Sequence, residues 1–167
     1  MEMIEIEKGT RGYPGLVRLE PADARAVARL FGRVSPESMY RRFFSPISRP
    51  EQFTSSLLRV DNLEREAVAA VQEGEIIGVA QYSRRQGADE AELAILVADD
   101  WQRQGLGTRM IAALSQAAAR QGVKAFAVDV QGDNYGAHRL LRRVAPDLRL
   151  RFGGGVGEGS FPIASSC

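Results

Sequence analysis

Residues Gln102 to Thr108 read Gln-Arg-Gln-Gly-Leu-Gly-Thr, and an alanine-rich run follows them. A helix that starts here presents unpaired N–H groups and the positive end of its dipole. Glycines at Gly105 and Gly107 let that backbone approach an anion with no side chain in the way. Thr108 adds a hydroxyl donor, and Arg103 or Arg109 adds a cation. The chemistry this stretch suits is the grip of a phosphate group. A tight turn into a helix with solvated arginines is the plainer alternative.

The elements around the loop follow from period and punctuation. Leu16 to Leu19 alternate weakly, as a short strand does. The stretch EPADARAVARLFGRV predicts a helix with Pro21 in its first turn and a stripe of Ala26, Val27, Leu30 and Phe31. SPESMYRRFFSP, capped by Ser35, and RPEQFTSSLLRV read as two further helical pieces. The period then changes. Glu66 to Gln72 and EIIGVAQYSRR are strands joined by a turn at Glu73-Gly74, and Ala91 to Asp99 is the third strand of this meander. The helix after the glycine loop runs to about Gln121 and carries Leu106, Met110, Ile111, Leu114, Ala117 and Ala118 on one stripe, with Gly122 to close it. KAFAVDVQ is a strand, NYGAHRLLRRVA a helix, and LRLRFGGG with EGSFPI a final hairpin. One strand–helix–strand crossover inside an antiparallel meander implies a mixed sheet with helices on its faces, an α+β fold.

Composition narrows the class. A chain of 167 residues, 44% hydrophobic and 26% charged, fits one globular domain spanning residues 1–167. The formal net charge is +1, which gives no reason to expect nucleic-acid binding. No apolar run approaches the roughly 18 residues of a membrane helix. The acidic start MEMIEIEKGT lacks the basic and apolar regions of a signal peptide. The one cysteine, Cys167, is the last residue, so an internal disulfide is impossible and a cytoplasmic setting is the expectation.

Which phosphate the loop would hold has three readings. A mononucleotide loop needs Gly, four residues, then Gly-Lys-Ser/Thr, and no such string occurs. A dinucleotide fingerprint needs Gly-x-Gly-x-x-Gly directly after a strand. Gly105 and Gly107 fit, Met110 does not, and Asp129 stands near the place of a ribose-binding acid. The third reading begins at Gln102. Gln-x-x-Gly-x-Gly from Gln102 to Gly107, after AELAILV and before a striped helix, resembles the phosphate-binding motif of the GNAT superfamily of acyl-CoA-dependent N-acyltransferases. The resemblance extends from about Leu16 to Ile163 and includes the order of elements.

That resemblance implies a GNAT fold with a splayed pair of central strands and acetyl-CoA as acyl donor, with no metal. Gln102, Arg103, Gln104, Gly105, Leu106, Gly107 and Thr108 would hold the diphosphate. The pantetheine arm would lie along Ile95, Leu96 and Val97 like an added strand, with the Leu96 N–H polarising the thioester carbonyl. Glu92, three residues before this edge, would be the general base. An amine with a pKa near about 10.4 must lose a proton before it can attack. A solvated strand-end glutamate, as Glu90 beside it suggests, is the plainer role. Many members carry Asn, Ala three residues on and Tyr seven on. Asn134 and Ala137 fit, but Leu141 stands where the acidic tyrosine would be. Tyr135 is the first candidate to replace it and His138 the second. Arg139, Arg142 and Arg143 read as a solvated face or as contacts to the CoA ribose phosphate. The run Ser38, Tyr40, Arg42, Phe43, Phe44 resembles the start of bacterial protein-lysine acetyltransferase domains and makes Tyr40 an acceptor-site candidate.

The expected activity is acetyl transfer from acetyl-CoA to a primary amine, of a protein lysine or of a small molecule. Attack would be direct, within a ternary complex, because the only cysteine is terminal. The chain would act as a monomer or homodimer. A non-catalytic acyl-CoA sensor and a dinucleotide-binding oxidoreductase are the rival readings.

Overall fold

The computed structural model describes residues 4–20, 23–35, 59–61 and 63–163. Tyr40 and the second and third helical pieces expected around it lie outside the described residues. The described elements are β1 (Ile4–Glu7), β2 (Gly15–Arg18), α1 (Ala24–Phe31), β3 (Arg65–Gln72), β4 (Glu75–Ser83), β5 (Glu90–Val97), α2 (Leu106–Arg120), β6 (Ala125–Gln131), α3 (Tyr135–Val144), β7 (Arg151–Gly153) and β8 (Val156–Pro162). They form one eight-stranded sheet in the order β1-β2-β3-β4-β5-β6-β8-β7. Every neighbouring pair is antiparallel except β5 with β6.

Local chemistry explains the turns. β3 and β4 meet through Glu73 and Gly74, with φ of 50° and 79°. A two-residue hairpin of this type needs left-handed backbone at both central positions. Gly154 and Gly155, at φ of 62° and 81°, do the same between β7 and β8. At the end of α2, Val123 N–H reaches Ala118 O and Gly122 N–H reaches Ala119 O, the paired bonds of a glycine-closed helix.

The six residues of the α2 stripe are all buried. Met110 packs on Gly78 of β4, so α2 covers the sheet face that bears Gly78, Ile95 and Val97. Val79 and Leu96 point the other way and are as fully buried, and α1 also packs on β4. The sheet therefore has helices on both faces, the expected α+β architecture. On the α2 face the Phe126 ring lies 6.1 Å from Tyr82 and 6.0 Å from Phe161. This row ties β4, β6 and β8 together beneath the parallel seam.

Several element ends differ from the sequence reading by a few residues, and two differences have a visible physical reason. β1 was not foreseen; its Ile and Glu residues alternate, but over only four positions. β5 stops at Val97 rather than Asp99, because the Asp99 N–H turns away to Arg33 O behind α1 and Asp99–Trp101 form a 3₁₀ turn.

Phe126→Ala should cost about 3–5 kcal/mol, the range for emptying a fully buried aromatic site. Denaturant unfolding measures it. A loss under about 1 kcal/mol would mean that the aromatic row does not hold the seam.

Candidate active site

β5 and β6 pair through only three residues each, Glu90 with Ala125 to Glu92 with Ala127. Beyond that point both strands continue, β5 to Val97 and β6 to Gln131, without pairing. The sheet opens there into a wedge. Peptide groups alternate along a strand. The Ala98 N–H is bonded to Ile77 O on β4 at 2.9 Å, so Ala98, Leu96 and Ala94 face β4. The peptide groups that face the wedge are those of Ile95 and Val97. This corrects the role expected of Leu96. Its N–H points toward β4 and its side chain is fully buried, so the amide left free on this part of the edge is that of Ile95.

The glycine loop begins where the wedge ends. Gln102 lines the cavity there, and its Nε2 donates to Val97 O at 3.0 Å and Asp99 Oδ1 at 3.4 Å, which pins the loop to the end of β5. Gln104 Nε2 donates to Asp100 O at 3.0 Å, and this side chain does not line the cavity. Arg103 and Gly105 are both left-handed, at φ of 64° and 80°. The first helical bond of α2 runs from Arg109 N–H to Gly105 O. The N–H groups of Leu106, Gly107 and Thr108 are therefore left without a helical acceptor. The two glycines serve different ends. Gly105 takes a backbone conformation that other residues resist, and its Cβ position is open space. A Cβ on Gly107 would lie 2.9 Å from Leu140 Cδ2, so this glycine lets α3 pack against the first turn of α2.

Between these elements lies a cavity of about 340 Å³. One wall is Ile95 and Val97 with Trp101, and the floor is Gly105, Leu106, Gly107 and Thr108. The far wall is α3, which contributes Leu140, Arg139, Arg142 and Arg143, and Arg103 lines the mouth. Trp101 went unnoticed in the sequence, and nothing in its spacing signals it. Arg109 moves the other way. Its guanidinium stacks 3.8 Å over the Tyr13 ring, donates to Pro14 O at 2.7 Å and pairs with Glu7 at 3.0 Å. It ties α2 to the β1–β2 turn and supplies no charge to the cavity.

Asn134 caps α3, its Oδ1 accepting from Ala137 N–H at 3.1 Å. Its Nδ2 is buried and has no partner among the described residues. A buried amide left this way needs an acceptor. The secondary-amide carbonyls of a pantetheine arm are of that kind, and the free edge of Ile95 and Val97 suits the same extended chain.

Glu92 stands at the apex of the wedge, its side chain exposed on the face opposite α2. Asp129 and Glu158 share that face, paired across β6 and β8. Burial, then the negative charges of Glu158 and Glu92, hold the Asp129 carboxyl above the ordinary carboxylate value. This acid sits among other acids and does not line the cavity by the glycine loop. With one parallel strand pair only, that removes the dinucleotide reading. Tyr135 is 72% exposed and is not part of the cavity wall. His138 Nε2 donates to Gln131 O at 3.1 Å, with its ring 6.1 Å from Phe152, which favours packing over proton transfer. Leu141 is 2% exposed; the position that holds a tyrosine in many relatives is core here.

A mixed sheet that opens between its one parallel strand pair, with a glycine loop and helix at the opening, is the frame of an acyltransferase fold. The model of the acetyltransferase (GNAT) family matches residues 34–145, and the chain belongs to that family, whose members use an acyl-CoA donor. It is 30% identical over 113 residues to Acetyltransferase Pat of Mycolicibacterium smegmatis, an alignment covering 66% of this chain and 34% of that protein. The chain thus spans about a third of the length of this curated relative. The GNAT domain of S. lividans PAT superposes with a TM-score of 0.83 at 25% identity, over 95% of this chain and 96% of that one. The ribosomal-protein-S5-alanine acetyltransferase from Vibrio fischeri shares the fold at 15% identity, with a TM-score of 0.70 over 96% and 97% of the two chains. Among the described residues no helix is long and apolar enough to cross a membrane.

Gly105→Asn and Gly105→Asp should separate backbone strain from charge. Both side chains tolerate left-handed backbone. Acetyl-CoA should still raise the melting temperature of the Asn variant, through RT ln(1 + [L]/Kd), and fail to do so in the Asp variant. Equal shifts in the two would place the diphosphate elsewhere.

Proposed function

We propose that the chain transfers an acetyl group from acetyl-CoA to a primary amine, of a protein lysine or of a small molecule, in a ternary complex. The observation that carries this reading is the continuous line from the α2 amides along Ile95 and Val97 to Glu92. A donor whose diphosphate rests on the first turn of α2 and whose arm lies along that edge directs its thioester toward Glu92. The acceptor enters from the face of Glu92, Asp129 and Glu158. Three carboxylates on one face complement the positive charge of an ammonium group, as they would not complement a neutral alcohol.

The chemistry then follows from proton balance. At pH 7 only roughly 0.04% of an amine with a pKa of about 10.4 is unprotonated. Glu92 takes the proton, directly or through a water, and the amine nitrogen attacks the thioester carbon. The Ile95 N–H stabilises the charge on the carbonyl oxygen. The C–S bond breaks and the thiolate leaves. A thiol with a pKa near about 8.5 is a tolerable leaving group, so its protonation demands less of the protein. Tyr135, at the start of α3, is the candidate donor of that proton. The rival reading, an acyl-CoA sensor, shares the cavity and lacks amine-dependent thiol release.

Thiol release from acetyl-CoA with a panel of amines tests the reading. Glu92→Gln keeps shape and loses basicity. Donor binding should stay near normal while turnover at pH 7 falls about 10²-fold or more, and the deficit should shrink at high pH, where free amine needs no base. Normal turnover at pH 7 would place the base elsewhere.

For the leaving group the expected effect is smaller. Tyr135→Phe should lower kcat on the order of tenfold with donor binding unchanged, since the interaction strengthens only in the transition state. His138→Ala is the comparison on the same helix. Full activity in both variants would assign the proton to solvent.

A further inference from the structure

The first turn of α2 has no side-chain cap, because its N-cap is Gly105. Uncapped helix ends fray. Yet the amides of Leu106, Gly107 and Thr108 must keep one direction if an anion is to find them in place. Gln102 fixes the loop before the turn, and Leu140 packs on one side of it. A further tie is Arg109, whose N–H closes the first helical bond to Gly105 O at 3.2 Å.

The Arg109 side chain leads away from the cavity to the β1–β2 turn, and the groups it meets there are themselves held. Its guanidinium lies 3.8 Å over the Tyr13 ring, donates to Pro14 O at 2.7 Å and pairs with Glu7 Oε1 at 3.0 Å. The Tyr13 hydroxyl donates to the same Glu7 oxygen at 3.3 Å, and Tyr13 and Thr10 exchange two backbone bonds. A Cβ on Gly9 would lie 2.5 Å from Gly15 N, so the two limbs of the turn touch backbone to backbone. This is a closed ring of contacts, unlike a charge on a mobile stem.

Two features of the ring run against simple stability. β1 starts with Ile4 opposite Arg18 and Glu5 opposite Val17, a register that would set Ile6 opposite Leu16. A bulge sets Glu7 there instead and leaves Ile6 45% exposed. Leu16 is in line with Ala70 and Gly78, on the face that α2 covers. The bulge thus aims a carboxylate at α2 in place of an isoleucine. Arg109 Nε is also buried with no partner among the described residues, which costs desolvation. β2 is paired with β3 over four residues, so the attachment of the hairpin to the sheet does not need this contact.

We infer that Arg109 is a positioning residue for donor binding: through Glu7, Tyr13 and Pro14 it clamps the first turn of α2 to the β1–β2 turn and holds the amides of Leu106, Gly107 and Thr108 in the direction a diphosphate needs. The inference rests on the acyl-CoA reading. Arg109 does not line the cavity, so it acts through the turn and not by contact with the donor. A turn that is already ordered binds more tightly, because no ordering cost remains when the ligand arrives.

Calorimetric titration with acetyl-CoA, together with steady-state kinetics on an amine that the wild type accepts, tests it. Arg109→Gln should raise the donor Kd and KM by about fivefold or more, the result of lost preorganisation. The kcat and the acceptor KM should stay within about twofold, because the reacting end is untouched. Glu7→Gln, on the edge strand, should shift the donor Kd in the same direction by less, and it keeps the test open if Arg109→Gln folds poorly. Arg109→Lys restores a charge opposite Glu7 without the planar fork, so it should recover only part of the affinity. Arg84→Gln is the control. It breaks the ion pair with Glu64 at the other end of β4, and should lower Tm without moving the donor Kd. An unchanged donor Kd in both Arg109→Gln and Glu7→Gln, or an equal loss in Arg84→Gln, overturns the positioning role and leaves the acyl-CoA reading standing. A wild type that does not bind acetyl-CoA overturns both.

Discussion

Everything at this site depends on where the parallel pairing of β5 and β6 stops. Three residues of each strand are bonded, and then the two diverge although both remain extended. A fully paired seam would leave no edge, and the sheet interior would be closed. The early end leaves the Ile95 peptide groups and the Val97 N–H facing open space, the Val97 carbonyl being taken by Gln102, in a region where backbone polar groups otherwise find partners. An extended ligand with its own amides is the natural completion. The aromatic row of Tyr82, Phe126 and Phe161 lies across the paired end and keeps it closed. The wedge therefore has a firm apex, and Glu92 is placed on it.

The second constraint is the contact of α2 with α3. Gly107 has no side chain, so Leu140 packs closely against the glycine turn. That contact turns two separate helices into opposite walls of one cavity. It also decides which charges the cavity sees. Arg109, one turn into α2, is drawn away by Tyr13, Pro14 and Glu7. The arginines of α3, distant from the loop in sequence, take its place. Charges are sorted: guanidinium groups line the cavity beside the glycine loop, and the carboxylates of Glu92, Asp129 and Glu158 share the sheet face opposite α2.

Much of this was legible in the sequence. The strands β3 to β6, the helix α2 and its closing glycine announce themselves by period and by turn residues, because neighbours along the chain decide those features. The α2 stripe was read residue for residue, since helical spacing alone tells which side chains share a face. The glycine loop was legible for the same reason: a motif of six residues carries its own geometry. Its meaning came from its place after the third meander strand.

Tertiary structure decided the rest. The direction of the Leu96 peptide depends on its pairing with β4, and no local pattern reveals which of two alternating edges a partner will take. Arg109 and Arg103 are equivalent cations in the sequence and separate only when β1 and β2 fold against α2. The surroundings of His138 and Leu141, beside Gln131 O and in the core, are set by chain that arrives from other elements. Arg139, Arg142 and Arg143 line the cavity because α3 packs on Gly107. Sequence by itself determined the elements and the family motif, both set by residues near one another in the chain. The open edge, the sorting of arginines and the shape of the cavity arise from contacts between distant segments, and those exist only once the sheet has formed.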